Sequence, residues 1–215
     1  MITNFKAAKQ FIKFSETTDD ESSSGPGSSI ANTVEVRNLI QKVIVDYGVK
    51  SILDLGCGDW NWFKLIDLNG IEYEGWDAGQ EMIIANQLHF GRDNVNFKTY
   101  DIILSEYPDV DLIICRDVLF HLPMSLAYKV IRKSKLACKY FISTSFREVP
   151  ENKGIGINNE WGYYPINLNI TPFNLEAFEV SSHREMLGAD PNGIILSPKR
   201  YVSLFDFSRI EKNHF

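Results

Sequence analysis

Short apolar segments alternate with segments of helical periodicity between residues 34 and 145, and few folds accommodate that order. The apolar runs at 51–55 and 110–115 are nearly uninterrupted, as in strands buried on both faces. The segment 36–47 instead carries apolar residues three and four positions apart, which indicates a one-sided helix. Parallel strands need crossover connections of one hand, so this alternation predicts an α/β, doubly wound Rossmann-like sheet with helices on both faces.

The remaining elements follow from the same patterns. The first helix is predicted to start at a capping box, Asn32–Glu35, and to end at Gly48. The sheet is predicted to be mostly parallel, with its last two runs forming an antiparallel hairpin at one edge. The other predicted helices cover 60–68, 80–89 and the segment after Pro123, and the other predicted strands cover 71–77, 95–100, 140–145, 178–180 and 201–207.

The chain divides by composition into a short N-terminal part and one domain. Residues 1–29 combine a predicted amphipathic helix, Ile2–Phe14, with a polar Gly/Pro/Ser-rich linker. That stretch is either a plain tether or part of a lid over a ligand. Residues 30–215 form a single domain, with a ligand-binding core at 30–145 and a substrate-side insert and sheet edge at 146–215.

Charge, cysteine content and hydropathy exclude several classes of function. A net charge of −6 disfavours nucleic acid as a partner, and no apolar stretch reaches the length of about 20 residues that spans a membrane. The cysteines Cys57, Cys115 and Cys138 lie in apolar runs, as reduced thiols of a cytoplasmic protein do. The cysteines form no C-x-x-C pair and the histidines are scattered, so no metal site is predicted.

A glycine-rich turn follows the first predicted strand. Gly56 and Gly58 stand where the backbone turns tightly and a ligand can approach it. The next predicted strand ends in Asp77, whose carboxylate can accept both hydrogen bonds of a ribose diol. The third ends in Asp101, which can accept from an adenine amino group. The pattern therefore predicts a nucleoside-containing ligand.

Two such ligands compete for this turn. A dinucleotide needs G-x-G-x-x-G, but Asn61 occupies the position of the third glycine, and Asp59 would repel a pyrophosphate. A ligand with a sulfonium and an amino acid group would instead be favoured by Asp54 and Asp59. S-adenosylmethionine is therefore predicted, and a nicotinamide dinucleotide is not.

These residues resemble the class I S-adenosylmethionine-dependent methyltransferases. The resemblance rests on DLGCG at 54–58, Asp77, the pair Asp101–Ile102, and DLIICRD at 111–117 followed by VLFHLP at 118–123. Trp60 occupies the position of that family's third glycine and is expected to narrow the methionine end of the pocket. The resemblance implies these cofactor-binding residues: Asp54, Gly56, Cys57, Gly58, Asp77, Ala78, Asp101, Ile102 and Arg116.

A narrower resemblance comes from GPGS at 25–28 with Thr33, and from CGDW at 57–60. These strings are similar to a bacterial branch that serves surface-polysaccharide decoration and includes methyltransferases of a capsular phosphoramidate group. That resemblance implies that the N-terminal Gly-Ser segment lies against the cofactor.

Asp117 and His121 follow the fourth strand, where the transferred methyl group should point. Either is a candidate base for a hydroxyl acceptor, although Asp117 can equally hold a loop and His121 can simply pack. The aromatic residues Trp161, Tyr163 and Tyr164 are candidates to contact the acceptor. The sequence thus predicts O-methylation of a polar, carbohydrate-related or phosphoryl-type small molecule. The alternatives are a protein or nucleic-acid methyltransferase and a non-catalytic partner protein with the same fold.

Overall fold

The computed structural model describes residues 21–152, 162–183 and 199–208. Its centre is a seven-stranded sheet with strand order β3-β2-β1-β4-β5-β7-β6. The first five strands run parallel to one another, and β7 pairs antiparallel with both β5 and β6. The strands are β1 (Ser51–Leu55), β2 (Glu72–Asp77), β3 (Val95–Thr99), β4 (Val110–Cys115), β5 (Cys138–Ser145), β6 (Ala177–His183) and β7 (Arg200–Asp206).

Within the described residues, three α-helices cover the sheet from both sides. They are α1 (Val34–Tyr47), α2 (Gln80–Phe90) and α3 (Met124–Ala137). The buried residues of α1 and α2 belong to one apolar cluster, and those of α3 belong to a second cluster on the other face. The predicted doubly wound sheet with an antiparallel edge hairpin is therefore confirmed.

The strand order places a crevice beside the end of β1. The chain runs from β1 outward to β2 and β3, then returns to place β4 on the other side of β1. In open α/β sheets, ligands bind at such a reversal of strand order, outside the carboxyl ends of the strands. The polar residues that follow β1, β2 and β4 therefore meet at one edge.

The helix that we predicted over Trp60–Leu68 is wrong. The segment consists of turns and a single 3₁₀ turn, Phe63–Leu65. Trp60 has φ 57°, in the left-handed region, which stops an α-helix at its first residue. Five apolar side chains of the segment, at positions 60, 62, 63, 66 and 68, are buried. An irregular segment can turn all five inward, whereas a helix would expose part of them.

The predicted capping box Asn32–Glu35 is also wrong, because α1 begins at Val34 after Thr33, which makes no cap bond, and the Asn32 side chain donates from Nδ2 to the Pro26 carbonyl (2.9 Å). The predicted end of the helix at Gly48 is confirmed, with φ 62°. The predicted helix Ile2–Phe14 lies outside the described residues. Among the residues that are described, no helix has the length and apolarity needed to cross a bilayer.

Candidate functional site

A cavity of about 370 Å³ opens at the carboxyl ends of the parallel strands. Its volume lies in the range of about 300–1,000 Å³ that is typical of small-molecule sites. It brings together the cofactor-binding residues that the family resemblance implied and both candidate bases, but not Asp59, the second expected cation partner. The residues brought together are Asp54, Gly56, Cys57, Gly58, Asp77, Ala78, Asp101, Ile102, Arg116, Asp117 and His121.

The two glycines of the turn are required by close contacts. Gly56 has φ 79°, and a Cβ there would lie 2.4 Å from Val118 Cγ2. Gly58 has φ 58°, and a Cβ there would lie 2.4 Å from Ser24 Oγ. A larger residue at either position would meet both backbone strain and a collision. The turn therefore fits between the loop after β4 and the N-terminal segment.

Trp60 does not narrow the cavity, contrary to our expectation. It adopts the left-handed conformation that a glycine would tolerate, but its ring is 2% exposed and points into the apolar core. Its ring centroid lies 6.0 Å from that of Phe63 and 5.2 Å from that of Phe97. The tryptophan that does line the cavity is Trp62.

The carboxylate of Asp77 joins the loops after β1 and β2. Its Oδ2 accepts the Gly58 N–H (3.2 Å) and its Oδ1 accepts the Gly79 N–H (2.9 Å). Burial raises the pKa of Asp77 above its ordinary 3.8, against the opposing effect of these N–H donors. The side chain is thereby held at the end of β2, where the sequence placed it.

Asp54 lies deeper, at 3% exposure. Its Oδ2 accepts a hydrogen bond from Tyr73 Oη (2.8 Å). Desolvation by burial raises the pKa of Asp54 to about 7, although the tyrosine hydroxyl favours the ionised form. A bound cation would favour the ionised form further.

Asp101 follows β3 in a turn and is not part of that strand, which ends at Thr99. Its Oδ1 accepts the N–H groups of Ile103 (2.8 Å) and Leu104 (3.2 Å). The direction of this carboxyl group therefore depends on the backbone of its own turn. Ile102 and Ile103 form the cavity wall beside it.

The second expected cation partner, Asp59, does not line the cavity. Its carboxylate accepts hydrogen bonds from Ser22 Oγ (2.8 Å), Ser23 N (2.7 Å) and Ser24 Oγ (3.2 Å). Asp59 thus anchors residues 21–29, which we call the serine segment. Ser28 and two of these serines reach the cavity, so the segment lies against the glycine turn.

Two arginines flank the carboxylate of Asp117. The Arg116 guanidinium lies 3.2 Å from Asp117 Oδ2 and that of Arg200, from β7, lies 3.5 Å away. Asp117 Oδ1 accepts from Thr144 Oγ1 (2.8 Å), and its backbone is in the left-handed region at φ 55°. Arg116 also donates to the carbonyl of Gly27 (2.7 Å), which ties the serine segment to this end of the cavity.

His121 is mostly buried beside this cluster. Its Nδ1 lies 3.2 Å from the carbonyl of Gly162, and a carbonyl only accepts, so Nδ1 carries the proton. The lone pair then lies on Nε2, the nitrogen that can take a proton. Burial lowers the pKa of His121 below its ordinary 6.5, so the ring is neutral at pH 7.

Tyr163 and Tyr164, which were predicted to contact an acceptor, lie near His121 and not in the cavity wall. The Tyr163 ring is 6.0 Å from the His121 ring, is 41% exposed, and does not line the cavity. Tyr164 N–H donates to the Phe120 carbonyl (2.7 Å). Trp161 lies outside the described residues.

The charge of the cavity lining favours a cationic ligand. Five carboxyl groups face one guanidinium, that of Arg116. These mostly accepting, acidic groups suit an ammonium and a sulfonium and disfavour a pyrophosphate. The carboxyl groups belong to Asp54, Asp77, Glu81, Asp101 and Asp117. In the described part of the chain, no three or more His, Cys, Asp or Glu side chains are grouped to hold a metal ion.

Sequence reasoning missed part of the lining. Glu81 and Met82 lie in the first turn of α2, shortly after the predicted ribose-binding acid, a position that the strand-turn-helix pattern indicates. Trp62 lies inside the segment that was predicted to be helical, and Tyr100 is the last residue of the predicted third strand, so neither position indicated the cavity. Arg200 does not line the cavity but pairs with Asp117 from 83 positions further along the chain, and it had no local signal at all.

Comparisons with known proteins agree with this geometry. Residues 53–135 match the family model of a methyltransferase domain. The structure is similar to the N-methyltransferase NodS from Bradyrhizobium japonicum WM9 in complex with S-adenosyl-L-homocysteine. That similarity has 16% identity, covers 92% of this chain and 96% of that chain, and has a TM-score of 0.64. No curated protein matches the sequence.

Two other solved structures are also similar to this chain. Magnesium protoporphyrin IX methyltransferase (ChlM) from Synechocystis PCC 6803 with bound SAM is 15% identical, covering 95% of this chain and 91% of that chain, with a TM-score of 0.58. An O-methyltransferase family protein from Burkholderia thailandensis is 13% identical, covering 85% and 58%, with a TM-score of 0.55. The likeness confirms the predicted fold. The family match agrees with the predicted methyltransferase function and its cofactor, S-adenosylmethionine.

Proposed function

We propose that this chain is an S-adenosylmethionine-dependent methyltransferase that acts on an oxygen atom of a polar small molecule. The observation that carries the proposal is the cavity at the reversal of strand order, lined by five carboxyl groups and one guanidinium. Such a lining suits a ligand with two cationic centres. Residues 30–145 then supply the cofactor-binding core, and residues 146–215 border the acceptor.

The cofactor is held by residues at the ends of consecutive strands. Asp77, with Ala78, receives the ribose hydroxyls, since its carboxylate is already fixed by Gly58 and Gly79. Asp101 and Ile102 receive the adenine ring.

The methionine part lies toward Asp54 and the glycine turn formed by Gly56, Cys57 and Gly58. Asp54 is deeply buried there and pairs in its ionised form with the cofactor's ammonium group. The contact of Arg116 with the Gly27 carbonyl supports a role in orienting the cofactor beneath the serine segment.

His121 is the base in this proposal. When bound, S-adenosylmethionine supplies an electrophilic methyl group, so the protein need only align the acceptor and remove its proton. The neutral imidazole, with Nδ1 bonded to the Gly162 carbonyl, presents Nε2 for that proton. Asp117 is paired with two guanidiniums, which favours a role in positioning over one in proton transfer.

The acceptor is proposed to be carbohydrate-related or phosphoryl-type. Guanidinium and aromatic groups lie together next to His121, where Arg200 is 5.8 Å from the Tyr163 ring centroid. The narrower kinship with methyltransferases of surface-polysaccharide decoration remains part of this proposal. The contact of the serine segment with the glycine turn supports it.

Two measurements test the proposal. Isothermal titration calorimetry of the full chain with S-adenosylhomocysteine should show saturable binding, and Asp77→Ala should weaken it. A turnover screen with S-adenosylmethionine would then measure release of S-adenosylhomocysteine against nucleotide-linked sugars and phosphorylated small molecules. Failure to bind at millimolar concentration would reject the enzyme in favour of a non-catalytic partner. Binding without turnover on any of these acceptors would favour a macromolecular one.

A further inference from the structure

Lys133 of α3 reaches the backbone of the turn that follows Asp101. Its Nζ donates to the carbonyls of Ile102 (3.0 Å), Ile103 (3.5 Å) and Ser105. An ammonium group has three N–H donors, so three carbonyl acceptors match it in full. These charge-assisted bonds join a helix on one face of the sheet to a short irregular turn.

Tyr107 supports the same turn from a second direction. The Lys133 ammonium lies 4.0 Å from the Tyr107 ring centroid, within the range of a cation–π contact. The Tyr107 hydroxyl donates to the Ile102 carbonyl (2.6 Å), and its ring meets that of Trp76 edge-on at 5.7 Å. The Ile102 carbonyl therefore accepts from both Lys133 and Tyr107.

The turn needs this support because no sheet ladder holds it. β3 ends at Thr99, and the next element, β4, begins at Val110. Three of its residues, 101–103, nevertheless line the cavity. The carboxyl group of Asp101 is oriented by the N–H groups of Ile103 and Leu104, so it moves when the turn moves.

We propose that Lys133 is a positioning residue that fixes this turn so that Asp101 recognises the adenine amino group. The proposal rests on the proposed function, since it assumes an adenosyl ligand in the cavity. Lys133 does not line the cavity, so its effect on the ligand passes through the backbone of the turn. Selectivity for adenine would then depend on a side chain outside the ligand's contact surface.

The test compares two ligands that differ at the adenine amino group. Lys133→Met keeps most of the side-chain stem and removes the ammonium. Calorimetry should show S-adenosylhomocysteine bound about tenfold more weakly by this variant, as expected for loss of a charge-assisted bond. The analogue that carries inosine in place of adenosine has a carbonyl at that position, so its affinity should change much less. Discrimination between the two ligands should therefore fall.

Lys129→Met is the matched control, because Lys129 is exposed on the same helix. It should leave discrimination at the wild-type value. Tyr107→Phe removes only the bond to the Ile102 carbonyl and should reduce discrimination by a smaller factor, which keeps the test decisive if Lys133→Met does not fold.

Unchanged discrimination in Lys133→Met, or in Tyr107→Phe if the first variant is unfolded, would overturn the proposal. Equal weakening of both ligands would overturn it as well, because it would indicate a general loss of packing. Wild-type protein that binds neither ligand would reject the proposed function itself, a result that is distinct from any change confined to the variants.

Discussion

The two ends of the cavity are built from the chain in different ways. At the proposed cofactor end, Asp54, Asp77 and Asp101 each lie in or directly after one of three consecutive parallel strands. At the proposed acceptor end, Asp117 meets Arg200 of β7, and His121 meets Gly162 of a distant loop. The first end follows from strand order alone, whereas the second requires distant segments to dock. Cofactor binding and acceptor chemistry should therefore fail independently.

His121→Asn is expected to produce the largest difference between the effect on turnover and the effect on cofactor binding. The asparagine Nδ2 can still donate to the Gly162 carbonyl, but the residue has no basic nitrogen. Loss of a general base should lower kcat by about 10²- to 10⁴-fold. The dissociation constant for S-adenosylhomocysteine should stay within about twofold of wild type, because the adenosyl and methionine contacts are elsewhere.

The measurement pairs steady-state turnover with calorimetry, once an acceptor is identified. In the wild type, kcat should fall only below pH 6.5. The base acts in its unprotonated form, and burial lowers the pKa of His121 below 6.5. A variant that keeps more than a tenth of the wild-type rate would reduce His121 to a packing residue. Parallel loss of cofactor affinity would show that the two ends are not independent.

The second prediction reverses the roles, through Asp77→Asn. The neutral amide keeps the shape but loses the charged acceptor for the ribose hydroxyls and for the Gly58 and Gly79 N–H groups. We expect binding of S-adenosylhomocysteine to weaken by about 1.5–3 kcal/mol. The rate at saturating cofactor should change much less. Asp93→Asn, which removes an exposed carboxylate between α2 and β3, serves as the control. Equal affinity for S-adenosylhomocysteine in the two variants would show that Asp77 does not bind the ribose.

The sequence was informative where a side chain's position depends on strand ends alone. Gly56, Gly58 and Asp77, which were predicted to bind the cofactor, all line the cavity because a parallel strand delivers its last residues to one edge of the sheet. Asp101 was placed at the correct edge, although it lies in a turn two residues beyond the end of β3.

The sequence was uninformative where the chain is irregular. Asp59 was expected to favour the cationic ligand and Trp60 to narrow the pocket, but Asp59 anchors the serine segment and Trp60 packs in the core. Side-chain direction in such a turn depends on backbone angles that no periodicity encodes, as the φ of 57° at Trp60 shows. Arg200 was missed for a different reason, since its position beside Asp117 depends on the pairing of β7 with β5.

The third prediction concerns pH and is confined to the cofactor end. Asp54 has a pKa of about 7, and its ionised form is the one that pairs with the ammonium group of S-adenosylmethionine. Below this pH the carboxyl is protonated and the ion pair is lost, so affinity should rise with pH through 7. The ionised fraction increases about tenfold between pH 6 and pH 8, and the affinity should follow. In Asp54→Asn the affinity should be lower and flat over this range. A wild-type affinity that does not vary with pH would place the ammonium elsewhere.

The smallest effect is expected from Asp59→Asn, which tests whether the serine segment belongs to the cofactor end although it comes from a distant part of the chain. The carboxylate accepts hydrogen bonds from Ser22, Ser23 and Ser24. In asparagine, an NH₂ group replaces one of the accepting oxygens, so at least one of these bonds is lost. Because partly exposed bonds of this kind contribute about 1 kcal/mol, we expect cofactor affinity to fall about three- to tenfold through faster dissociation. Asp67→Asn, whose carboxylate accepts the Asn69 N–H within its own loop, is the matched control. If dissociation measured by stopped-flow fluorescence is as slow in Asp59→Asn as in the control, the segment does not retain the cofactor. The cofactor end would then consist of strand ends alone, and the contrast between the two ends of the cavity would be sharper than the structure suggests.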